Sequence, residues 1–348
     1  MDQNILEYPK LAVYYPSGHQ AHNQPGHPER PERVERLRAG LEKAGLWDTA
    51  IKMPSLPIPD DVLFQIHSKD YLDYFKQASQ SGMSLDADTY TTPASWDLAI
   101  NTAGGGINVV SAVWEGRAKR GFALTRPPGH HATRDKGMGF CLLNNISLAA
   151  EYLHQVRHAE RVAIVDLDLH HGNGTQDIFY ERDDVFYIST HQYPYYPGTG
   201  SLKETGNGDG IGTTANFVLP PGSGDAAFES ITRELIIPLL NGYQPEMVLV
   251  SFGFDPHWRD PLGHLQLSAG VYGKLIALIT DWADMCCEGR IALFLEGGYD
   301  LDAAEACGQA VTSALVGEDW VDPIGPSPDP ESATWKVYFD RAKQIWQL

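Results

Sequence analysis

Arg161-Val162-Ala163-Ile164-Val165-Asp166-Leu167-Asp168-Leu169-His170-His171-Gly172-Asn173-Gly174 is the stretch whose reading settles the fold class. Its first part, Arg161 to Val165, is β-branched and apolar, as a strand buried on both faces of a parallel sheet requires. Its second part sets Asp166, Asp168 and His170 at every other position. Strand side chains alternate between faces, with neighbours on one face about 6.6 Å apart. Two carboxylates and an imidazole therefore share a face while Leu167 and Leu169 take the other. Asp168 and the longer His170 can converge on one cation, because ligand bonds of about 2 Å draw side chains together. Taken singly, Asp, His, Gly and Asn here are ordinary turn and capping residues. Taken together, two acids at the end of a buried strand call for a cation or several donors, since an uncompensated buried charge is costly.

The same join between an apolar run and a polar, glycine-rich loop recurs along the chain. Arg120 to Thr125 leads into Arg126-Pro127-Pro128-Gly129-His130-His131, Asp184 to Thr190 into His191, Met247 to Phe254 into Asp255, and Arg290 to Leu295 into Glu296-Gly297-Gly298-Tyr299. Helix-patterned segments such as Asn145 to Val156, Ala226 to Leu240 and Ala269 to Ala283 lie between them. This alternation predicts a single-domain, three-layer α/β/α fold with a mainly parallel central sheet. Its site is expected beyond the carboxyl ends of the strands, where the unusual residues gather. A catalytic domain over residues 1–320 is expected, with a tail over 321–348 packing on it and the Pro- and Asp-rich stretch Val321 to Glu331 between them.

The 348 residues carry 45 acidic against 26 basic side chains, a net charge of -19. That balance argues against nonspecific binding of nucleic acid or an anionic membrane and favours a cationic substrate. Four cysteines, two of them adjacent at Cys286-Cys287, make no disulfide framework in a chain this long and fit a reducing compartment. No apolar run reaches about 18 residues, and the first twenty residues lack a basic segment followed by an apolar core. A soluble cytoplasmic protein is expected, and a homo-oligomer is left open.

Asp255 is the natural third metal ligand, standing at the end of another buried run. Two carboxylates and one imidazole leave positions open for water and substrate, the pattern of a catalytic site. Zinc suits these ligands; iron, cobalt or manganese would also be accepted. His130 and His131 follow Pro127-Pro128-Gly129, a turn that could let both rings face one pocket. Neighbouring imidazoles suit proton transfer, each lowering the other's affinity for a second proton. One could deprotonate a metal-held water and the other protonate a leaving amine. Tyr299 could donate to an oxyanion opposite the metal. The plain alternatives are an N-cap acid at 255, loop histidines on the surface, and a half-buried tyrosine above a turn.

Together these residues resemble the arginase-like histone deacetylase superfamily, and more closely its class II and bacterial amidohydrolase branch, which includes acetylpolyamine amidohydrolases. The resemblance runs from about His19 to Ala314. It rests on His27-Pro28-Glu29-Arg30-Pro31-Glu32-Arg33, Arg126 to His131, Gly137-Met138-Gly139-Phe140-Cys141, Asp166 to Asn173, Pro197-Gly198-Thr199-Gly200, Asp255 to Gly263 and Glu296 to Tyr299. Any one of these is weak; seven in the family's order are specific. The resemblance implies zinc held by Asp168, His170 and Asp255, with iron(II) or cobalt(II) as alternatives. It implies His131 as general base and then acid, His130 backed by Asp166 as electrostatic support, and Tyr299 polarising the acyl carbonyl. Gly139, Phe140 and Tyr196 would wall an acyl-lysine tunnel with Leu262 at its rim. Asp166 and Ser189 would give side chains to a structural potassium site, and Arg33 would lie beneath the active site.

Class I members carry an aspartate where this chain has Asn173. A neutral amide orients an imidazole but stabilises its cation less, so His131 should be less basic here. Polyamine-selective relatives tend to carry an acid at the tunnel rim, whereas Leu262 is apolar and leans toward acyl-lysine on a peptide or protein. The expected reaction is metal-assisted hydrolysis of an N-acyl-lysine amide. Competing readings are hydrolysis of acetylpolyamines or other small acylated amines, a two-manganese ureohydrolase, and an inactive acyl- or metal-binding module. Cys141 beside the tunnel reads as packing rather than a redox switch.

Overall fold

A computed structural model describes residues 10–348, so the first nine residues of the expected catalytic domain lie outside the described residues. Among the described residues eight strands form one sheet: β1 (Leu11–Tyr14), β2 (Ile51–Lys52), β3 (Arg120–Ala123), β4 (Val162–Asp166), β5 (Val185–Gln192), β6 (Thr214–Leu219), β7 (Met247–Phe252) and β8 (Ile291–Leu295). Their order is β2-β1-β3-β8-β7-β4-β5-β6, and every neighbouring pair is parallel. An all-parallel sheet needs crossovers that cover both faces. Accordingly there are two apolar cores. Val165, Leu167, Val250 and Phe252 belong to one; Val162, Ile164, Met247 and Leu249 belong to the other.

The register decides what meets at the carboxyl edge. Asp166 pairs with Ser251 across β4 and β7, Phe252 with Leu295 across β7 and β8, and Ala123 with Phe294 across β3 and β8. The loops after β3, β4, β7 and β8 therefore leave the sheet side by side, carrying the two histidines, the Asp-His run, Asp255 and Tyr299.

β4 ends at Asp166, three residues before the apolar-alternating pattern does. The acids themselves stop the ladder. Asp166 Oδ1 accepts the Asp168 N–H at 3.2 Å, Asp168 Oδ1 the His170 N–H at 2.8 Å and Asp255 Oδ1 the Leu169 N–H at 3.1 Å. Backbone groups that would have paired with a strand are satisfied by carboxylates instead. Leu167 and Leu169 still enter the core opposite the acids.

The helix expected over Ala226 to Leu240 is broken into Asp225–Ile231 and Ile237–Tyr243 by a π turn at Thr232–Ile236. Pro238 lacks an N–H and its ring crowds the carbonyl four residues back, which accounts for the widened turn. The helix Ser95–Trp114 has no clear signal in the sequence, because Gly104-Gly105-Gly106 reads as a breaker. Packing explains them. A Cβ at Gly105 would stand 2.2 Å from the Tyr14 ring and one at Gly106 2.5 Å from Phe294 Cε1, so only glycines let this helix lie flush on the sheet.

Beyond Trp320 the chain returns to the domain. The Asp322 carboxylate accepts the Gly270 N–H, Glu331 accepts those of Ala226 and Ala227, and the helix Trp335–Trp346 packs against the edge strand β6. No helix among the described residues is long and apolar enough to cross a membrane. All four cysteines are free thiols.

Candidate active site

Asp168, His170 and Asp255 meet at the carboxyl edge of β4 and β7. His170 Nδ1 lies 3.3 Å from Asp168 Oδ1 and 3.1 Å from Asp255 Oδ2. These separations match the edge of a tetrahedron, about 3.3 Å, drawn with ligand bonds of about 2 Å. The surroundings leave space for such a cluster: a Cβ on Gly297 would fall 2.2 Å from Asp255 Oδ2 and 2.6 Å from Asp168 Oδ2. Electrostatics also favours a cation. Burial opposes protonation of His170, yet the hydrogen-bonded Asp168 and Asp255 carboxylates more than offset it and hold the ring at about 9. Burial and the neighbouring Asp168 push Asp255 up to about 6. Two acids and one imidazole that compete for protons fit one divalent cation bound between them.

The His130 and His131 rings lie 4.1 Å apart between centroids and are tilted by 45°; of the two, His131 lines the cavity described below. Their partners differ. His130 Nδ1 lies 3.1 Å from Asp166 Oδ2, and His131 Nδ1 lies 2.9 Å from Asn173 Oδ1. For His130, burial is outweighed by Asp168 and Asp166, which push it up to about 10. For His131, burial and the charges on His130 and His170 act together and hold it well below its ordinary value. Asp166 also accepts the Tyr187 hydroxyl at 2.9 Å and is the register partner of Ser189.

The Tyr299 loop is anchored from below. Its N–H donates to Asp260 Oδ2 at 2.6 Å, and the Arg33 guanidinium sits 4.9 Å from the ring centroid. Arg33 Nε donates to the Gly298 carbonyl at 2.5 Å, and Nη2 donates to that of Glu296. Arg33 and Arg126 share the buried Glu29 carboxylate, at 3.1 Å and 2.8 Å. That arrangement absorbs the His27-to-Arg33 motif into structure: two arginines overcome burial and hold Glu29 at about 2.

A cavity of about 260 Å³ opens onto these groups. Gly139, Phe140, Tyr196 and Leu262 line it together with His131, His170 and Tyr299. It also contains Asp88 and Tyr195, which sequence reasoning missed. Asp88 lies in a loop far from any strand end, held where the Asp88 carbonyl lies 3.1 Å from His27 Nε2; no local pattern announces it. Tyr195 stacks on His170 with centroids 5.7 Å apart, and only its neighbour Tyr196 carried a family signal.

His130, Cys141 and Glu296 also lie close together. Their existing partners argue against a second metal site there. Glu296 already accepts the N–H groups of Gly129 and His130 and the Ser251 hydroxyl, and burial holds Cys141 as a thiol. His171, adjacent to His170, turns instead to Thr199 and Gln176.

Residues 27–315 match the histone deacetylase domain family. The chain is 39% identical to histone deacetylase 10, chloroplastic, of Oryza sativa subsp. japonica, across 100% of this chain and 83% of that protein. It is 37% identical to the histone deacetylase-like amidohydrolase of Pseudomonas aeruginosa, across 84% of this chain and 77% of that one. Among solved structures, the HD domain of HDA15 aligns with a TM-score of 0.87 at 33% identity, covering 97% of this chain and 94% of the other.

Proposed function

The chain belongs to the histone deacetylase family, and on that premise we propose that it removes acetyl or other short acyl groups from N-acyl-lysine, using zinc held by Asp168, His170 and Asp255. That it hydrolyses amide bonds follows from the family. The finer reading rests on one observation: a cavity of about 260 Å³ lined by Phe140, Tyr195 and Tyr196 also contains His170 of the Asp-His-Asp cluster, with His131 and Tyr299. Such a channel suits an unbranched alkyl chain carrying an amide at its tip.

A zinc ion in that cluster would polarise the acyl carbonyl and lower the pKa of water to about 7; iron(II) or cobalt(II) suits the same donors. His131, neutral and with Nδ1–H donated to Asn173, presents a free Nε2 that takes a proton from the attacking water. It returns that proton to the leaving nitrogen as the C–N bond breaks, giving a lysine amine and a carboxylate. His130, kept cationic by Asp166, stabilises negative charge developing nearby. The Tyr299 hydroxyl donates to the carbonyl oxygen as it becomes an oxyanion. Phe140 and Tyr196 flank the alkyl chain, Gly139 leaves it room, and Leu262 meets it at the mouth. Asp166 with Ser189, neighbours across β4 and β5, would hold a structural potassium ion. Four free cysteines suit a cytoplasmic setting.

Asp88 supports a second reading. A carboxylate at the mouth can accept a peptide N–H, or pair with the second ammonium of an acetylpolyamine. A panel of acetyl-lysine peptides, longer acyl-lysines and acetylpolyamines, assayed after chelation and after each metal is restored, separates these. The lysine reading expects the peptides to be turned over at least tenfold faster, with zinc restoring activity; faster turnover of acetylpolyamines would reverse it.

A further inference from the structure

Asn173 poses a problem that an aspartate would not. A carboxylate can only accept from an imidazole N–H, whereas a carboxamide has an accepting end and a donating end of similar size. With Oδ1 toward His131, Nδ1 carries the hydrogen and Nε2 is free to take a proton. With the amide turned over, Nδ2–H would donate to Nδ1, the ring hydrogen would move to Nε2, and the base would be blocked.

We infer that Met138 selects between these two arrangements: its thioether receives the Asn173 amide N–H, keeps Oδ1 toward His131, and so acts as a positioning residue for the proton acceptor. Asn173 Nδ2 lies 3.6 Å from Met138 Sδ while Oδ1 lies 2.9 Å from His131 Nδ1. Among the described residues this sulfur is the one acceptor within hydrogen-bond distance of Nδ2. A thioether accepts and cannot donate. The turned-over amide would set Oδ1 against sulfur, lone pair to lone pair, with no compensation. The Asn173 side chain has little freedom to escape: the residue is 7% exposed, and its N–H donates to the His171 carbonyl at 2.8 Å where the helix Asn173–Phe179 begins.

The backbone holds the sulfur there. Met138 O accepts the Cys141 N–H at 2.9 Å, closing a turn in which Gly139 and Phe140 both take positive φ, 56° and 68°. A Cβ on Gly139 would stand 2.5 Å from His131 Cδ2, so the turn lies directly on the imidazole. One turn thus sends Phe140 to the tunnel wall and Met138 to the amide behind the base. An aspartate at position 173 would need no such reader.

The inference rests on His131 being the proton acceptor, and the test keeps the two apart. Met138→Leu, Asn173→Asp and the double variant are compared with wild type, each loaded with zinc, for kcat and KM on an acetyl-lysine peptide. Leucine conserves volume and accepts nothing, so Met138→Leu should lower kcat about threefold to tenfold with KM and zinc content unchanged, and the unsatisfied Asn173 amide should lower the melting temperature by no more than about a few degrees. In the Asn173→Asp background the same swap should change kcat less than about twofold, because a carboxylate has no wrong end. Histidine ring ¹⁵N spectra give a second readout: wild type should show the Nδ1–H tautomer at His131, and Met138→Leu a mixture. An equal loss in both backgrounds, no loss in the wild-type background, or an unchanged tautomer overturns the role of Met138. Full activity of His131→Ala would instead remove the base reading itself.

Discussion

Replacing Tyr299 with Phe isolates one hydroxyl, because the structure assigns that hydroxyl no structural work. Its oxygen has no hydrogen-bond partner among the described residues. What holds the ring survives the change: the Arg33 guanidinium at 4.9 Å, the edge of Phe140 at 5.8 Å between centroids and the backbone N–H on Asp260 at 2.6 Å. No buried partner is left unsatisfied, so the cost of a broken internal hydrogen bond does not arise, and the melting temperature should stay within about 2 °C. Chemistry should suffer. Removing one preorganised donor to an oxyanion costs about 10²–10³ in kcat, or about 2.7–4 kcal/mol of transition-state stabilisation. Burial holds the phenol well above its ordinary pKa, so the hydroxyl keeps its proton and can donate at any working pH. The assay is steady-state deacetylation of an acetyl-lysine peptide, with zinc content and thermal unfolding measured on the same samples. The reasoning fails if kcat stays within about threefold of wild type with zinc bound. A large loss accompanied by loss of zinc would refute it differently, by showing that the ring supports the ligands.

Gly297→Ala places a methyl carbon 2.2 Å from Asp255 Oδ2 and should lower zinc affinity at least about tenfold; wild-type affinity in a chelator competition would remove the cradle argument. A different ring sets acid sensitivity. Burial holds His67 at about 4, with Nδ1 at 3.0 Å from the Thr133 carbonyl and Nε2 accepting the Asn144 N–H. Below about pH 6.5 the unfolded chain binds a proton there that the folded chain refuses until about pH 4, so stability is lost as the pH is lowered through that window, at about 1.4 kcal/mol per unit. Buried His22 and His191 are shifted the same way, which steepens the fall. His67→Gln should flatten the profile of unfolding free energy by one proton's slope between pH 6.5 and 4, and an unchanged slope would exclude His67 as a contributor.

The joins between apolar runs and polar loops make the carboxyl edge of the sheet legible, because a parallel sheet exports every such join to one side. Asp168, His170, Asp255, His131 and Tyr299 can all be picked out from that geometry before any contact is known. The strands β1, β2 and β6 are not legible in the same way. β1 and β2 have four and two residues, and β6 alternates Thr and Asn with apolar residues, too little periodicity to separate from a loop. The helix Ser95–Trp114 is hidden by the glycines that its contact with Tyr14 and Phe294 demands. Within the site, what escapes is what long-range contacts create. Asp88 reaches the cavity mouth through His27, 61 residues away, and Met138 meets Asn173 35 residues on; neither spacing carries a period.

The two histidines show how one dipeptide can be divided into two chemical roles by its second neighbours. Identical rings 4.1 Å apart repel a shared second charge, so whichever ring has the stronger anion keeps the proton. Asp166, itself buried and pushed upward by that burial, gives His130 an anion within 3.1 Å. Asn173 gives His131 only a dipole. The split follows in direction without reference to substrate: His130 is held at about 10 and His131 far below 6.5. A neutral ring is available to take a proton, and a cationic one beside it makes the return of that proton to a leaving amine easier. Substituting Asp for Asn at 173 narrows this difference by raising His131, so the acid limb of the pH profile of kcat/KM should move to higher pH in that variant, with the basic limb following the same direction.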